Sequence, residues 1–219
     1  MDSAKSIIIK PVSAKAANNL IRRIHYSGKI VQNSSLHFGV YLNGALLGAM
    51  QFGSCMDKHR MRGLVSGTGW NEFIELNRMA FSDYLPRFSE SRALSVAFRL
   101  IKKHYPHLKW VISFSDATQC GDGAIYRASG FDLVGIKKNA SLLRMPDGSV
   151  KARKTLDNSS HPEGQSGWWL KNGAKPLEGF QIKYIFFLDK SCKANLTSPI
   201  LPFSAIEAAG ASMYKGKKA

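Results

Sequence analysis

The stretch from Glu75 to Gly135 constrains the fold more than any other part of the chain. Its text, ELNRMAFSDYLPRFSESRALSVAFRLIKKHYPHLKWVISFSDATQCGDGAIYRASGFDLVG, reads as strand, helix, strand, short helix, strand. The apolar run FIELNRMAF precedes a helix whose Leu94, Phe98 and Ile101 recur at helical spacing. Ser89 or Ser91 can cap that helix, and the open N–H groups of its first turn would welcome an anion. Lys102, Lys103 and His104 suit the negative end of the helix dipole, and Pro106 stops it. LKWVISFS is apolar on both faces, as expected of a strand flanked by parallel neighbours. Regular alternation in FIELNRMAF puts Arg78 on the face of Ile74, Leu76 and Ala80, with Asn77 opposite. Asn77, Arg78, Ser89, Ser91, Arg92, Asp116 and Tyr126 gather at the ends of these elements. A core has no use for such groups, so this frame is read as the scaffold of an α/β site.

The flanking segments complete the frame. SIIIKPV is a first strand interrupted by Pro11, and Ser13 caps a helix running to HYSG, with Gly28 as its C-cap. SLHFGVYL and ALLGAMQFG, joined by Asn43-Gly44, form a hairpin, because both turn residues need positive φ. Residues 54–71 read as a basic, Gly-rich loop. FDLVGIKK and GFQIKYIFFLD are further strands, and GWWLKNG is a short amphipathic piece. Residues 138–163 read as a basic insertion loop, SAIEAAGASMY as a weak helix, and the closing KGKKA as a tail mobile at its tip. One domain is expected over residues 1–190, with an extension over 191–219.

The chain is long enough for one sizeable core. It carries 31 Lys+Arg against 15 Asp+Glu, a net charge of +16. An excess of that size points to a polyanionic partner, with nucleic acid favoured over an anionic surface. Candidate backbone contacts are Lys58, Arg60 and Arg62 in the first basic loop, and Arg144, Lys151, Arg153 and Lys154 in the second; either loop taken alone reads more readily as a solvated loop. The apolar runs are too short to span a bilayer, and MDSAKSIIIKP is not a signal peptide. Three widely spaced cysteines favour a reducing, cytoplasmic setting.

The order of elements resembles the GNAT acyltransferase fold: a mixed, mostly antiparallel central sheet flanked by helices. GAIYRASGFDLVG is similar to that fold's short helix, whose Tyr can protonate a departing thiolate. The chain departs from the fold's pattern at Arg87–Ala93, RFSESRA, where glycines would let backbone amides close on a pyrophosphate. That departure turns the expectation away from coenzyme A. HYSG, ELNR, LPRFSESRA, KHYPHLKWVISFSD and IYRASGF together resemble the Mom family of phage Mu, which converts adenine in viral DNA to N6-carbamoylmethyladenine and so blunts host restriction. The resemblance implies functional positions at His25, Tyr26, Arg78, Ser91, Asp116 and Tyr126. It implies double-stranded DNA as the substrate, a host-cytoplasm location, and catalysis by acyl or glycyl transfer. Iron has been considered for the family, with His25 and Tyr26 the weak candidates here for ligands. The favoured donor is a glycyl donor such as glycyl-tRNA, which makes tRNA a second partner; acetyl-CoA is the alternative.

Each of these residues has a chemical and a structural role open to it. Asp116 can orient or deprotonate an amine, or cap the next turn. Tyr126 can protonate a leaving group, or be a core tyrosine with a wet hydroxyl. Arg78 can hold a carbonyl, carboxylate or phosphate, or pair with a sheet Glu. Ser91 can serve an oxyanion or simply cap its helix, and His25 can be base, ligand or scaffold. Two rival functions remain beside adenine modification: an ordinary GNAT acetyltransferase, and a non-catalytic nucleic-acid-binding module.

Overall fold

The computed structural model describes residues 3–139, 141–214 and 217–218. In chain order the strands and helices are β1 (Ile8–Pro11), α1 (Ala14–Ile24), β2 (Ser34–Leu42), β3 (Ala45–Gly53), α2 (Lys58–Arg62), β4 (Phe73–Phe81), α3 (Ser89–His104), β5 (Trp110–Ala117), α4 (Ala124–Ala128) and β6 (Asp132–Lys138). There follow β7 (Leu142–Arg144), β8 (Val150–Ala152), α5 (Arg153–Asp157), α6 (Ser166–Lys171), β9 (Lys175–Pro176), β10 (Phe180–Phe187), α7 (Ser204–Ala208), β11 (Met213–Tyr214) and β12 (Lys217–Lys218). The chain forms two compact units that interleave in sequence. One comprises residues 1–114, 124–135 and 183–202; the other comprises residues 115–123, 136–182 and 203–219.

The first unit holds most of a seven-stranded sheet in the order β1-β2-β3-β4-β5-β10-β6. Strands β1 to β4 pair antiparallel, and β4 pairs β5 in parallel. This is the mixed, mostly antiparallel sheet with flanking helices that the order of elements led one to expect. The late strand β10 enters between β5 and β6, a long-range pairing that no local signal announces. The hairpin turn is as read, with φ 49° at Asn43 and 81° at Gly44. Ser13 caps α1 by accepting the Ala16 N–H at 3.2 Å. Ala17, Leu20 and Ile21 of α1 bury against Ala49 and Ala80 of the sheet. A second cluster sits around Trp110, Ile112, Phe73 and Ile185 and includes Leu64 and Val65 from the segment read as a loop. Val65 also bridges to Leu196, and Leu133 to Leu201. Among the described residues no helix is long and apolar enough to cross a membrane.

Several expectations need correction. Helix α1 ends at Ile24 with His25 as its C-cap, and Gly28 (φ 60°) instead closes the following turn by bonding His25 O at 2.8 Å. Residues 54–71 contain α2, capped by Asp57, because a capping carboxylate outweighs the weak helix signal of so short a run. Neither Ser89 nor Ser91 caps α3. Phe88, in the left-handed region at φ 67°, stands at that position. Strand β5 runs beyond the LKWVISFS text to Ala117 and so takes in Asp116.

The second unit overturns the reading of residues 138–163 as a plain insertion loop. They supply β7, β8 and α5, and β7 is the centre of a three-stranded sheet in the order β8-β7-β9. Leu143, Met145, Leu156 and Ala174 form its core, with Trp169 packed against them. The amphipathic GWWLKNG is α6, and the weak C-terminal helix is α7. Of the basic tail, Lys217–Lys218 pairs with Met213–Tyr214 as β12; Lys215, Gly216 and Ala219 lie outside the described residues.

Candidate functional site

The first unit carries two polar constellations, one toward each end of β4. At its start, the parallel pairing with β5 runs from Phe73↔Trp110 to Glu75↔Ile112. Ser113 Oγ then reaches the carbonyl of Leu76 at 3.3 Å, so a side chain takes over from the backbone ladder. On the other edge of β4, Leu76 pairs with Phe52 and Arg78 with Gln51, which leaves Asn77 as the extra residue of a β-bulge. The bulge resets the alternation between Leu76 and Arg78, so the regular facing assumed from sequence does not hold across it.

Around this bulge the polar groups meet. Ser34 Oγ donates to Asn77 Oδ1 at 3.2 Å, and the amides of Asn33 and Asn77 both reach the carbonyl of Ser54. Arg78 Nε donates to the carbonyl of Lys29 at 3.2 Å, and its Nη1 to Asn77 O at 2.9 Å. This guanidinium therefore pins the turn that follows α1. Within that turn His25 Nδ1 accepts the Ser27 N–H at 3.2 Å. The His25 and Tyr26 rings lie 4.4 Å apart, and Tyr26 is half exposed. Arg78, His25 and Tyr26 are thus brought to one end of the sheet.

Two titratable groups that the sequence did not single out belong to this constellation. Burial raises the pKa of the Glu75 carboxyl, against hydrogen bonds with Cys55 and Asn77 and the charge of Arg78. Burial also pushes the Cys55 thiol up, and the neighbouring Glu75 adds to the effect. Burial thus works against a thiolate at Cys55. The signal available in the sequence was Glu75 itself, a carboxylate inside an apolar strand.

At the far end of β4, the chain turns into α3. The Ser89 N–H is tied back to Pro86 O at 3.2 Å, and Ser91 Oγ bonds Phe88 O at 3.2 Å. Beside it opens a cavity of about 420 Å³ lined by Ala4, Phe88, Ser91, Arg92, Ser95, Arg99, Ala128 and Ser129. A second cavity of about 230 Å³ shares Ser95, Arg99 and Ser129 and adds Lys102 and Lys190. Arg92, Ser95, Arg99 and Lys102 recur every three or four residues, a polar stripe along α3 that the helical period would have revealed. Ser89 is fully buried, and neither its Oγ nor Arg92 Nε has a hydrogen-bond partner among the described residues. Four cations and three hydroxyls along these two cavities suit a phosphate-bearing ligand. The group a fold of this kind implies, coenzyme A, fits the charge of this groove. It does not find the glycine-supported backbone cradle: the left-handed residue is Phe88, with a bulky side chain, and the first amide is already bonded. The other wall of the groove is α4. There Tyr126 is buried, with its ring 5.1 Å from Phe131 and 5.0 Å from Tyr184.

Asp116 belongs to the second unit and organises the turn after β5. Its Oδ1 accepts the Thr118 N–H at 3.0 Å and its Oδ2 the Gln119 amide at 3.2 Å. Its carbonyl accepts from Cys120 and Gly121. The Cys120 thiol is pushed up by burial and then by the charge of Asp116. In the same unit Arg144, Lys151 and Lys154 are exposed, and Lys151 Nζ sits 5.9 Å from the Trp169 ring centroid. Arg153 is half buried. In the first unit Arg60 is exposed, while Lys58 and Arg62 are half buried against Trp70. Among the described residues no group of three His, Cys, Asp or Glu side chains is placed to hold a metal ion.

Among solved structures the chain is similar to a ribosomal-protein-S18-alanine N-acetyltransferase from Escherichia coli, at 13% identity and TM-score 0.47, covering 84% of this chain and 94% of that one. It is similar to a probable acetyltransferase from Staphylococcus epidermidis, at 10% identity and TM-score 0.49, covering 83% and 98%. Among characterised sequences it is 35% identical to the methylcarbamoylase mom of Escherichia phage Mu over 201 residues, 90% of this chain and 82% of the relative. The model of the Mom protein family matches residues 6–205, a span that contains every candidate site residue named above. The chain belongs to the Mom protein family.

Proposed function

We propose that this protein is a transferase that converts adenine in duplex DNA to N6-carbamoylmethyladenine, protecting phage DNA from host restriction. The observation that carries this reading is the 35% identity to a methylcarbamoylase over 90% of the chain. The net charge of +16 supports a polyanionic substrate. Adenine N6 is a poor nucleophile, because its lone pair is delocalised into the ring, and it lies inside the base stack. The base must therefore be flipped out, at a cost of roughly a few kcal/mol.

The donor in this reading is a glycyl ester, with glycyl-tRNA as its source. N6 attacks the ester carbonyl; the N6–acyl bond forms, the ester C–O bond breaks, and the tRNA hydroxyl takes the proton. The free α-amine of the glycyl group then adds to C6 of the adenine, closing a five-membered ring. Cleavage of the original C6–N6 bond opens that ring. The former α-amine becomes N6, the former N6 becomes the terminal amide nitrogen, and the product is the carbamoylmethyl isomer. No oxidant or reductant is needed.

The groove along α3 suits the phosphates near the donor's acyl end, with Arg92 and Arg99 as charge partners and Ser91 at its mouth. Tyr126 is the acid for the departing hydroxyl, Asp116 orients or deprotonates the amine, and Arg78 holds the His25–Lys29 turn and a donor or substrate oxygen. An acyl-CoA would bring the same phosphate chemistry to the groove, so the test separates the two sources. Purified protein and duplex DNA are incubated with glycyl-tRNA, with acetyl-CoA, or with free glycine and iron, and the nucleosides are analysed by mass spectrometry. The expected result is modified adenine with glycyl-tRNA only. Product formed without tRNA in either other arm overturns the donor assignment.

A further inference from the structure

Segment 54–72 of the first unit carries a surface that the reaction scheme leaves unused. Trp70 is 49% exposed, and two cations sit over its ring: Lys58 Nζ at 4.9 Å and Arg62 Cζ at 5.8 Å from the centroid. Both come from α2, which also presents His59 and Arg60 to solvent. Beside it Met56 is 78% exposed. The acids of this segment are occupied: Asp57 accepts the Arg60 N–H at 3.1 Å, and Glu72 pairs with Lys109 at 2.9 Å. The surface is firmly mounted. Phe73 stacks on Trp110 at 4.3 Å, Trp110 Nε1 donates to Thr68 Oγ1 at 3.1 Å, and Leu64 and Val65 are core residues.

Its place in the fold gives it meaning. Gly53, where β3 ends and this segment begins, pairs with Ser34 on one side and Glu75 on the other. Asn33 and Ser54 are joined by hydrogen bonds in both directions. The segment therefore leaves the sheet at the end where Arg78 pins the His25–Lys29 turn.

Resting on the reading of duplex DNA as substrate, we propose that Trp70 is the wedge that enters the base stack as the target adenine leaves it. Lys58 and Arg62 are the phosphate contacts that uncover its ring. The two cations that cover the indole are the ones a phosphate backbone would draw away, so docking and exposure of the wedge are one event. An aromatic plane can replace a departed base because every base pair offers a π-face, and apolar side chains inserted between steps unstack and kink a duplex.

The test uses the full-length protein and a duplex with 2-aminopurine at the target position, whose fluorescence rises on unstacking. Wild type raises the emission. Trp70→Ala lowers that rise by about tenfold while duplex affinity at low salt changes by less than about threefold, since stacking and phosphate contact are separate terms. Trp70→Phe retains part of the rise. Lys58→Gln and Arg62→Gln each weaken binding on every sequence and reduce the slope of log K against log salt by about 1. A Trp70→Ala protein that unstacks the probe as wild type does, while still modifying DNA, overturns the wedge alone. Loss of tRNA binding in place of duplex unstacking also overturns it. A wild type that neither binds the duplex nor modifies adenine overturns the reading beneath it as well.

Discussion

Three side chains show how far chemistry can be separated from scaffolding. Tyr126 keeps its ring packing if only its hydroxyl is removed, so Tyr126→Phe should melt within a few degrees of wild type. Loss of a positioned proton donor typically costs about 10²–10⁴-fold in rate, and DNA from cells expressing this variant should be cut by restriction enzymes that wild-type expression blocks. Asp116 is different, because its carboxylate also accepts from Thr118 and Gln119. Asp116→Asn keeps an acceptor for the turn and is the cleaner variant; undiminished protection by it would remove this residue from the chemistry. Glu75 offers a pH test. Its folded pKa lies above the ordinary 4.5, so its stabilising contribution is fully present below pH 4.5 and is lost as pH rises through the folded value. Glu75→Gln removes the carboxylate that burial disfavours. Thermal melts should show the variant more stable than wild type at pH 7, by about 2–4 °C for each kcal/mol recovered, with the gap closing toward pH 4. A gap that widens on acidification would contradict the buried-acid account.

At the scale of elements, much of the frame was readable and the irregularities were not. The stripe Leu94, Phe98, Ile101 and the two-faced apolar run at Trp110 define α3 and β5 by period alone. Asn43-Gly44 defines a hairpin because few residue pairs accept positive φ twice. The bulge at Asn77 has no local signature: it arises because Asn33, Ser34 and Ser54, distant in sequence, offer hydrogen bonds that a regular ladder would forgo. The same network explains Gly53. A Cβ there would strike Asn33 O, and would lie 2.6 Å from both Asn77 Oδ1 and Ser34 Cα. Gly53→Ala should therefore destabilise by about 1–3 kcal/mol and lower activity by moving Asn77 and Arg78, as read by melting and by nucleoside analysis. The left-handed Phe88 was equally illegible, since a bulky residue at positive φ runs against local preference. The segment at 138–163 was misread because polar, basic text hid the apolar positions Leu143, Met145 and Leu156, too widely spaced to show a period.

Across the whole molecule, the charge balance was legible from composition, but its distribution was not. Basic residues named from sequence fall in both units, Lys58, Arg60 and Arg62 in one and Arg144, Lys151, Arg153 and Lys154 in the other. With six or more phosphate contacts, affinity for duplex DNA should fall by about 10³-fold or more between 50 and 200 mM salt. A shallow salt dependence in a filter-binding or anisotropy titration would show that the +16 serves another purpose. The candidate residues themselves were found through motifs, and geometry then sorted them into a bulge-centred constellation, a basic groove and a turn held by Asp116. The central claim concerns what the molecule makes. Nucleosides from the DNA of a host expressing this chain, resolved by mass spectrometry, should include an adenine in which one N6 hydrogen is replaced by CH2CONH2. DNA with only unmodified adenine, or with N6-acetyladenine, from cells that accumulate the folded protein would contradict the account.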